Sequence, residues 1–241
     1  MTIQKTSRVV VIPCFNEERR LNPVFFVDLV NTHACELIFV DDGSTDNTYN
    51  VISSLPLAQA SFEIIRLDKN RGKANAIRVG LNHALIKGYE FIGLYDADGA
   101  IHPQDMGNAF QIIGGSTDIN VVSGARILLA GNNVSRLNHR RWMGRIIATL
   151  VSLIMGLQIY DPQSPCKVYR ASCLAVISKF NIKTKWFVDA EILKFLSREQ
   201  DKSSRWLVEF PVTNWKDVAG SNISCKSSLR VLQDLFILIS K

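Results

Sequence analysis

Long uninterrupted apolar stretches are scarce in this 241-residue chain. The one that stands out, Ile146 to Leu157, would rise only about 18 Å as a helix, short of the roughly 30 Å hydrocarbon core of a bilayer. A membrane span is therefore not expected there. Cysteine is thin as well: Cys14, Cys35, Cys166, Cys173 and Cys225 make an odd number, with no Cys-x-x-Cys and no Cys/His ligand spacing. That argues against a disulfide framework and a zinc site, and for reduced thiols in the cytosol. Neither Gly-x-Gly-x-x-Gly nor Gly-x-x-x-x-Gly-Lys-[Ser/Thr] occurs, so the usual dinucleotide and triphosphate loops are missing. Met1 to Lys5 runs straight into a strand signal without a basic-then-apolar leader. The sequons at Asn133 and Asn222 are accordingly read as incidental. No repeat or low-complexity linker divides the chain.

What is present is globular, with 47% hydrophobic and 21% charged residues. The net charge of +6 suits an anionic partner, and by itself leaves nucleic acid, nucleotide phosphates and acidic lipid headgroups all open. Short β-branched or apolar runs recur at Arg8 to Ile12, Glu36 to Val40, Phe62 to Leu67, Phe91 onward and Ile119 to Gly124. Helical patterns separate them: Asn16 to about Val30, a helix capped by Ser44 or Asp46 running toward Leu55, Ala74 to Ile86, and about Pro103 to Ile113. Alternation of this kind implies a mostly parallel sheet flanked by helices. Ligands then sit beyond the carboxyl ends of the strands, where Asn16, Asp41, Asp42, Asn70, Lys73, Asp96 and Asp98 all fall. The run ending in Asp96-Ala97-Asp98-Gly99 carries two hard oxygen ligands one residue apart. Read as strand, it sets both on one face, suited to Mg²⁺ or Mn²⁺.

Four blocks stand in order at these strand ends: Val11-Ile12-Pro13-Cys14-Phe15-Asn16-Glu17-Glu18, Val40-Asp41-Asp42-Gly43-Ser44-Thr45-Asp46, Asn70-Arg71-Gly72-Lys73-Ala74 and Asp96-Ala97-Asp98-Gly99. Together they resemble the family 2 glycosyltransferases, and most the dolichyl- or polyprenyl-phosphate sugar transferases among them. The resemblance implies an α/β GT-A fold, with a Rossmann-like, mostly parallel central sheet flanked by helices. One domain over 1–241 is expected, residues 1–100 forming the nucleotide-sugar half and 101–241 the acceptor half. It further implies a nucleotide-diphosphate sugar held by Pro13, Asn16, Glu17, Asp41, Asp42, Arg71, Lys73 and Asp96, with Asp96 and Asp98 carrying Mg²⁺ or Mn²⁺ on the diphosphate.

The second half extends the likeness. Asp161-Pro162-Gln163-Ser164-Pro165-Cys166-Lys167 is similar to the family's Asp-Thr-Gln-Cys-Gly-Phe-Lys signature, keeping Asp161, Gln163 and Lys167 but placing Pro165 where Gly is usual. Val188-Asp189-Ala190-Glu191 resembles its Phe-Asp-Val-Glu block, and Trp215 to Ser221 followed by Ser228-Leu229-Arg230 its polyprenyl-phosphate closing pattern. The implied reaction inverts the anomeric carbon in a single displacement. A hydroxyl acceptor would use Asp189 as base, with Asp161 as second candidate and Glu191 and Gln163 as substrate contacts. A phosphate acceptor is already largely ionised at neutral pH and calls for cations, for which Lys167 is the choice, helped by Arg126, Arg140 or Arg170.

Arg136, Arg140, Arg141 and Arg145 precede the apolar run and share its stretch with Trp142 and Met143, the pattern of an interfacial helix over 136–158. A second amphipathic stretch spans 228–240. The expectation is an inverting transferase acting on a polyprenyl phosphate, peripheral at the cytoplasmic face of a membrane, alone or through a membrane-protein partner or second subunit. No nucleic acid partner is expected. A transferase acting on a glycan or lipid-linked oligosaccharide hydroxyl is the rival within the class, with a nucleotidyltransferase and a non-catalytic binding module outside it.

Overall fold

Four consecutive β-branched residues, Val9-Val10-Val11-Ile12, leave no polar face, so they form a strand buried on both sides. In this computed structural model, which describes residues 7–135, 138–179, 182–200, 205–216 and 225–240, that strand is β1 (Arg8–Cys14). It is followed by α1 (Pro23–His33), β2 (Glu36–Asp41), α2 (Thr48–Ser53), β3 (Phe62–Arg66), α3 (Lys73–Ile86) and β4 (Phe91–Leu94). Strands β2 and β4 lie parallel on either side of β1, and β3 lies parallel outside β2. Then come α4 (Pro103–Gly114), β5 (Val121–Ala125), β6 (Asn133–Ser135), α5 (Asn138–Met155), β7 (Lys167–Arg170), α6 (Ala171–Leu174), α7 (Val188–Glu199), β8 (Leu207–Pro211), β9 (Asn214–Lys216) and α8 (Cys225–Ile239).

One seven-stranded sheet, ordered β3-β2-β1-β4-β7-β5-β8, runs through both halves, and β6 and β9 form a separate pair. Alternate residues of β1 feed two apolar layers. Val10 and Ile12 join Phe26, Phe39 and Phe110, while Val9 and Val11 join Ile77, Leu81 and Leu193 on the opposite face. Gly80 lets α3 press against the sheet, since a Cβ there would lie 2.3 Å from Val11 Cγ1.

Strand β7 is the exception to the parallel pattern. It runs antiparallel to both β4 and β5, with Lys167 opposite Leu94 and also opposite Ser123. A reversed strand begins where its neighbours end, so the loop preceding β7 arrives at the same rim as the loops following β1, β2, β4 and β5.

Several local expectations shift. The first helix starts at Pro23, not Asn16, because Asn16 takes a left-handed φ of 53° that no helix interior accommodates. Pro13 lies inside β1 rather than after it. Strand β4 stops at Leu94, so Asp96 and Asp98 sit in the turn beyond it and share no strand face. Neither Ser44 nor Asp46 is the N-cap of α2; that position is Asn47, and Asp46 one place earlier accepts from Thr48 N at 3.0 Å. Arg136, residues 217–221 of the closing block and the Asn222 sequon lie outside the described residues.

Candidate active site

The rim is built first by backbone-to-side-chain bonds. Asn16 donates its N–H to Ser44 Oγ at 3.0 Å and accepts from Thr45 N at 2.9 Å, so its strained backbone ties the β1 loop to the β2 loop. Asp41, fully buried at the end of β2, accepts from Ser44 N at 2.8 Å, and the Arg66 guanidinium stands 3.4 Å from its other oxygen. The Asp42 carboxylate is consumed by the next loop, accepting from Arg71 N at 2.9 Å and Gly72 N at 2.7 Å. The two acids therefore shape the loops of the rim, and the Arg71 side chain is left exposed above them.

Around the turn after β4 lies a cluster of acids and bases. Lys73, the first residue of α3, places Nζ 2.6 Å from Asp96 Oδ1, and Arg20 places Nη2 2.6 Å from Asp98 Oδ2. Arg20 Nε also stands 3.3 Å from Glu17 Oε2. Burial pushes the Glu17 carboxyl up to about 7; Arg20 opposes this, and the nearby Asp98 and Asp96 add to it. Partial desolvation works against the charge on Lys73, but Asp96, Asp189 and Asp98 outweigh it and raise its pKa. An open cleft of about 360 Å³, mostly apolar, adjoins this turn at Gly99 and Ala100 and is bounded by Phe25, His102, Asn133, Asn214 and Trp215.

The acceptor-half residues gather on the other side. Arg126, just past β5, grips Asp161 with Nε at 2.6 Å from Oδ2 and Nη2 at 2.8 Å from Oδ1. It also donates to Gln163 O at 3.1 Å and stacks 4.7 Å over the Trp215 ring. Although burial opposes it, Arg126 holds the Asp161 carboxyl down at about 2, with Lys167 assisting. Glu209 fixes the same loop from below, accepting from Tyr160 N at 2.6 Å and Asp161 N at 2.8 Å. Lys167 is fully buried; its Nζ stands 3.2 Å from Asp189 Oδ1 and donates to the Ser164 carbonyl. The electrostatic reach of Arg126 extends to both Asp96 and Asp189, so the two groups of residues share one field.

Two candidates stand apart. Glu191 accepts from Lys183 N, Thr184 N and Thr184 Oγ1, which ties the segment before α7 to that helix. Arg170 lies at the opposite end of the sheet, holding the carbonyls of Ile113 and Ser116. Gln163 uses its side-chain amide on Trp186 O at 3.1 Å. The sequence reading passed over Arg20 and Glu209, although Arg20 follows the Asn16-Glu17-Glu18 block by two positions.

The donor set around the turn suits a hard divalent cation shared with substrate phosphates. Asp96 and Asp98 present carboxylate oxygens in that turn, and Glu17, whose carboxyl is raised chiefly by burial, stands within electrostatic reach of both. An all-protein cage is a poor description, since among the described residues no group of three or more His, Cys, Asp or Glu could hold a metal. Among the same residues, no helix is long and apolar enough to cross a membrane.

Similarity to known proteins extends over most of the chain. The chain is 29% identical to the dolichyl-phosphate beta-glucosyltransferase of Saccharomyces cerevisiae, over 95% of this chain and 73% of that one. It is 26% identical to the polyprenol monophosphomannose synthase of Mycolicibacterium smegmatis, over 77% of this chain and 71% of that one. In structure it resembles glucosyl-3-phosphoglycerate synthase from Mycobacterium tuberculosis in complex with Mn²⁺, uridine diphosphate and glucosyl-3-phosphoglycerate, at a TM-score of 0.68 and 17% identity, covering 98% of this chain and 81% of that one. The α/β fold, a mixed but mostly parallel sheet flanked by helices, is GT-A. Residues 9–177 match the model of the family described as Glycosyl transferase family 2, and the chain belongs to that family.

Proposed function

We propose that this protein is a metal-dependent, inverting glycosyltransferase that moves a sugar from a nucleotide diphosphate to a polyprenyl phosphate at a membrane surface, on its cytoplasmic face. Residues 1–100 form the donor half and 101–241 the acceptor half. The observation that carries the acceptor assignment is a continuous path from an apolar surface to the Asp161 loop. On α5, Trp142, Met143, Ile146, Leu150 and Leu153 are exposed, and on α8, which packs against it, so are Phe236 and Ile239. From α5, Arg145 donates to Tyr160 O at 2.6 Å and stacks on the Tyr160 ring, immediately before Asp161. A helix carrying large apolar side chains beside basic ones suits the headgroup region. A lipid held there would present its phosphate to this loop. The dolichyl- and polyprenol-phosphate chemistry named for the two sequence relatives supports the same acceptor class.

In this reading Asn16, Glu17, Asp41, Asp42 and Lys73 form the donor rim, with Pro13 beneath them and Arg71 above. Asp96 and Asp98 hold Mg²⁺ or Mn²⁺, which when bound stabilises the negative charge of the departing nucleoside diphosphate. Arg126 and Lys167 supply the positive field in which a phosphate nucleophile settles, and their pairing with Asp161 and Asp189 fixes the loop between them. A second reading is favoured by one contact. Lys167 is engaged with Asp189, an arrangement that orients a carboxylate base and suits a sugar hydroxyl acceptor.

Incubation with labelled sugar nucleotides, Mn²⁺ or Mg²⁺ and polyprenyl phosphate in detergent tests the choice. A labelled product extractable into organic solvent is expected from at least one donor. Transfer only to glycan hydroxyls would favour the second reading, and no lipid-linked product from any donor would sink the first.

A further inference from the structure

We infer that Arg20 is a displaceable internal cation: it occupies Asp98 until a divalent cation takes its place, and then turns its guanidinium to the donor diphosphate. The inference rests on the reading of Asp96 and Asp98 as the metal clamp. Three observations support it. First, Arg20 Nη2 lies 2.6 Å from Asp98 Oδ2, on an oxygen that a bound cation would need. Second, the guanidinium is incompletely satisfied where it rests. Its Nε and the facing Glu17 Oε2 are buried 3.3 Å apart, yet neither makes a hydrogen bond. Third, Arg20 sits on a turn closed by its own N–H to Glu17 O at 2.8 Å, ahead of α1, with 31% of its side chain exposed, so the side chain can swing without moving a helix.

A part-exposed ion pair of this kind, with side chains 31% and 17% exposed, costs less to break than a buried one. A divalent cation carries twice the charge of a guanidinium, so the exchange favours it once metal is present. The released guanidinium remains tethered beside the turn, and its planar fork matches phosphate oxygens in bidentate fashion. Lys73 on Asp96 repeats the arrangement with a point charge. The donor-free site is thus closed by the chain's own cations, and metal entry and diphosphate binding become coupled events.

The test compares wild type, Arg20→Met and Arg20→Lys by Mn²⁺ titration, reading free Mn²⁺ by electron paramagnetic resonance, with UDP and GDP binding measured by equilibrium dialysis in parallel. Without nucleotide, Arg20→Met is expected to bind Mn²⁺ roughly tenfold more tightly than wild type, because the competing charge is gone. Arg20→Lys stays near wild type. For whichever diphosphate wild type binds, Arg20→Met is expected to bind roughly tenfold more weakly. Opposite signs for metal and diphosphate are what a merely structural residue would not produce. Unchanged or weaker Mn²⁺ binding in Arg20→Met, with wild type binding normally, overturns the inference alone. No Mn²⁺ binding by either protein, with or without a diphosphate, overturns the metal clamp and the inference together, and Mn²⁺ binding by Arg20→Met no tighter than wild type in both conditions overturns the inference alone.

Discussion

Replacing Asp161 by Asn tests whether the acceptor loop is a fixed scaffold. The carboxyl is held at about 2 against an ordinary 3.8 by a neighbouring guanidinium that contacts both of its oxygens, at 2.6 and 2.8 Å. That preference for the ionised form corresponds to roughly 2–3 kcal/mol. Asp161→Asn removes it and leaves Arg126, whose side chain is only 12% exposed, without its counter-ion. Stranding a buried charge costs about 3–5 kcal/mol. In a chain of this size each kcal/mol lowers the melting temperature by about 2–4 °C, so the variant is expected to melt roughly 6–20 °C below wild type at pH 7. Arg126→Met should lose a similar amount. The double variant should lose less than the sum of the singles by at least about 2 kcal/mol, since the second substitution removes the charge that the first strands. The pH dependence has a definite sign. A depressed carboxyl stabilises above its unfolded value near 4, and that contribution fades as pH falls through about 2. The gap between wild type and Asp161→Asn should stay constant from pH 8 to 5 and narrow below pH 4. Urea denaturation of the four proteins supplies the cycle, and a coupling under about 0.5 kcal/mol would refute the clamp.

Three further outcomes are expected. Asp98→Ala should abolish metal-dependent sugar transfer while leaving the urea midpoint within about 0.5 M of wild type, since Asp98 pairs with a part-exposed Arg20 and otherwise accepts a 3.2 Å bond from Ala100 N in the same turn; a fully active variant removes the metal assignment. Gly43→Ala should cost about 1–3 kcal/mol in urea denaturation and weaken nucleotide binding. Its φ of +69° disfavours a side chain, and the new Cβ would stand 2.6 Å from Lys69 C in the segment leading to the loop that Asp42 holds. Leu153→Glu, at a position 73% exposed, should leave stability within about 0.5 kcal/mol but reduce co-sedimentation with anionic vesicles. Undiminished sedimentation would detach the α5 face from the membrane reading.

The donor half was legible because its signals are local. Val9 to Ile12 and Leu37 to Val40 are apolar runs that each end in a polar loop, so strand, rim and candidate residues could be read together. The direction of β7 was not legible. Lys167-Val168-Tyr169-Arg170 is too short to carry a directional signal, and its antiparallel pairing depends on β4 and β5 meeting it from both sides. Nor could charge partners be assigned, since Arg20 and Asp98 are 78 positions apart and Lys167 and Asp189 22 apart. Resemblance grouped Asp189 with Glu191, but on α7 they are two residues apart and point differently, one toward Lys167 and the other toward the Thr184 segment.

Four ion pairs around the candidate site, two on each side, divide by burial, and the division separates what can exchange from what cannot. On the donor side, Arg20–Asp98 and Lys73–Asp96 have side chains 31% and 17%, and 43% and 34%, exposed. On the acceptor side, Arg126–Asp161 and Lys167–Asp189 are 12% and 10%, and 0% and 11%, exposed. Solvent-exposed pairs contribute about 0–1 kcal/mol, and these part-exposed ones lie nearer that end, whereas losing one partner of a buried pair costs about 3–5 kcal/mol. A ligand bringing a divalent cation and a diphosphate can therefore replace the donor-side partners at little cost. An incoming acceptor cannot do the same to Arg126 or Lys167 and must bind to the field they set up with their carboxylates in place. A charge-reversing exchange on the acceptor side, Lys167→Glu with Asp189→Lys, should therefore abolish transfer even if folding survives, because the sign of the field at the loop depends on which residue carries which charge. Transfer at the wild-type rate by that double variant would mean that the buried pair supports the fold alone.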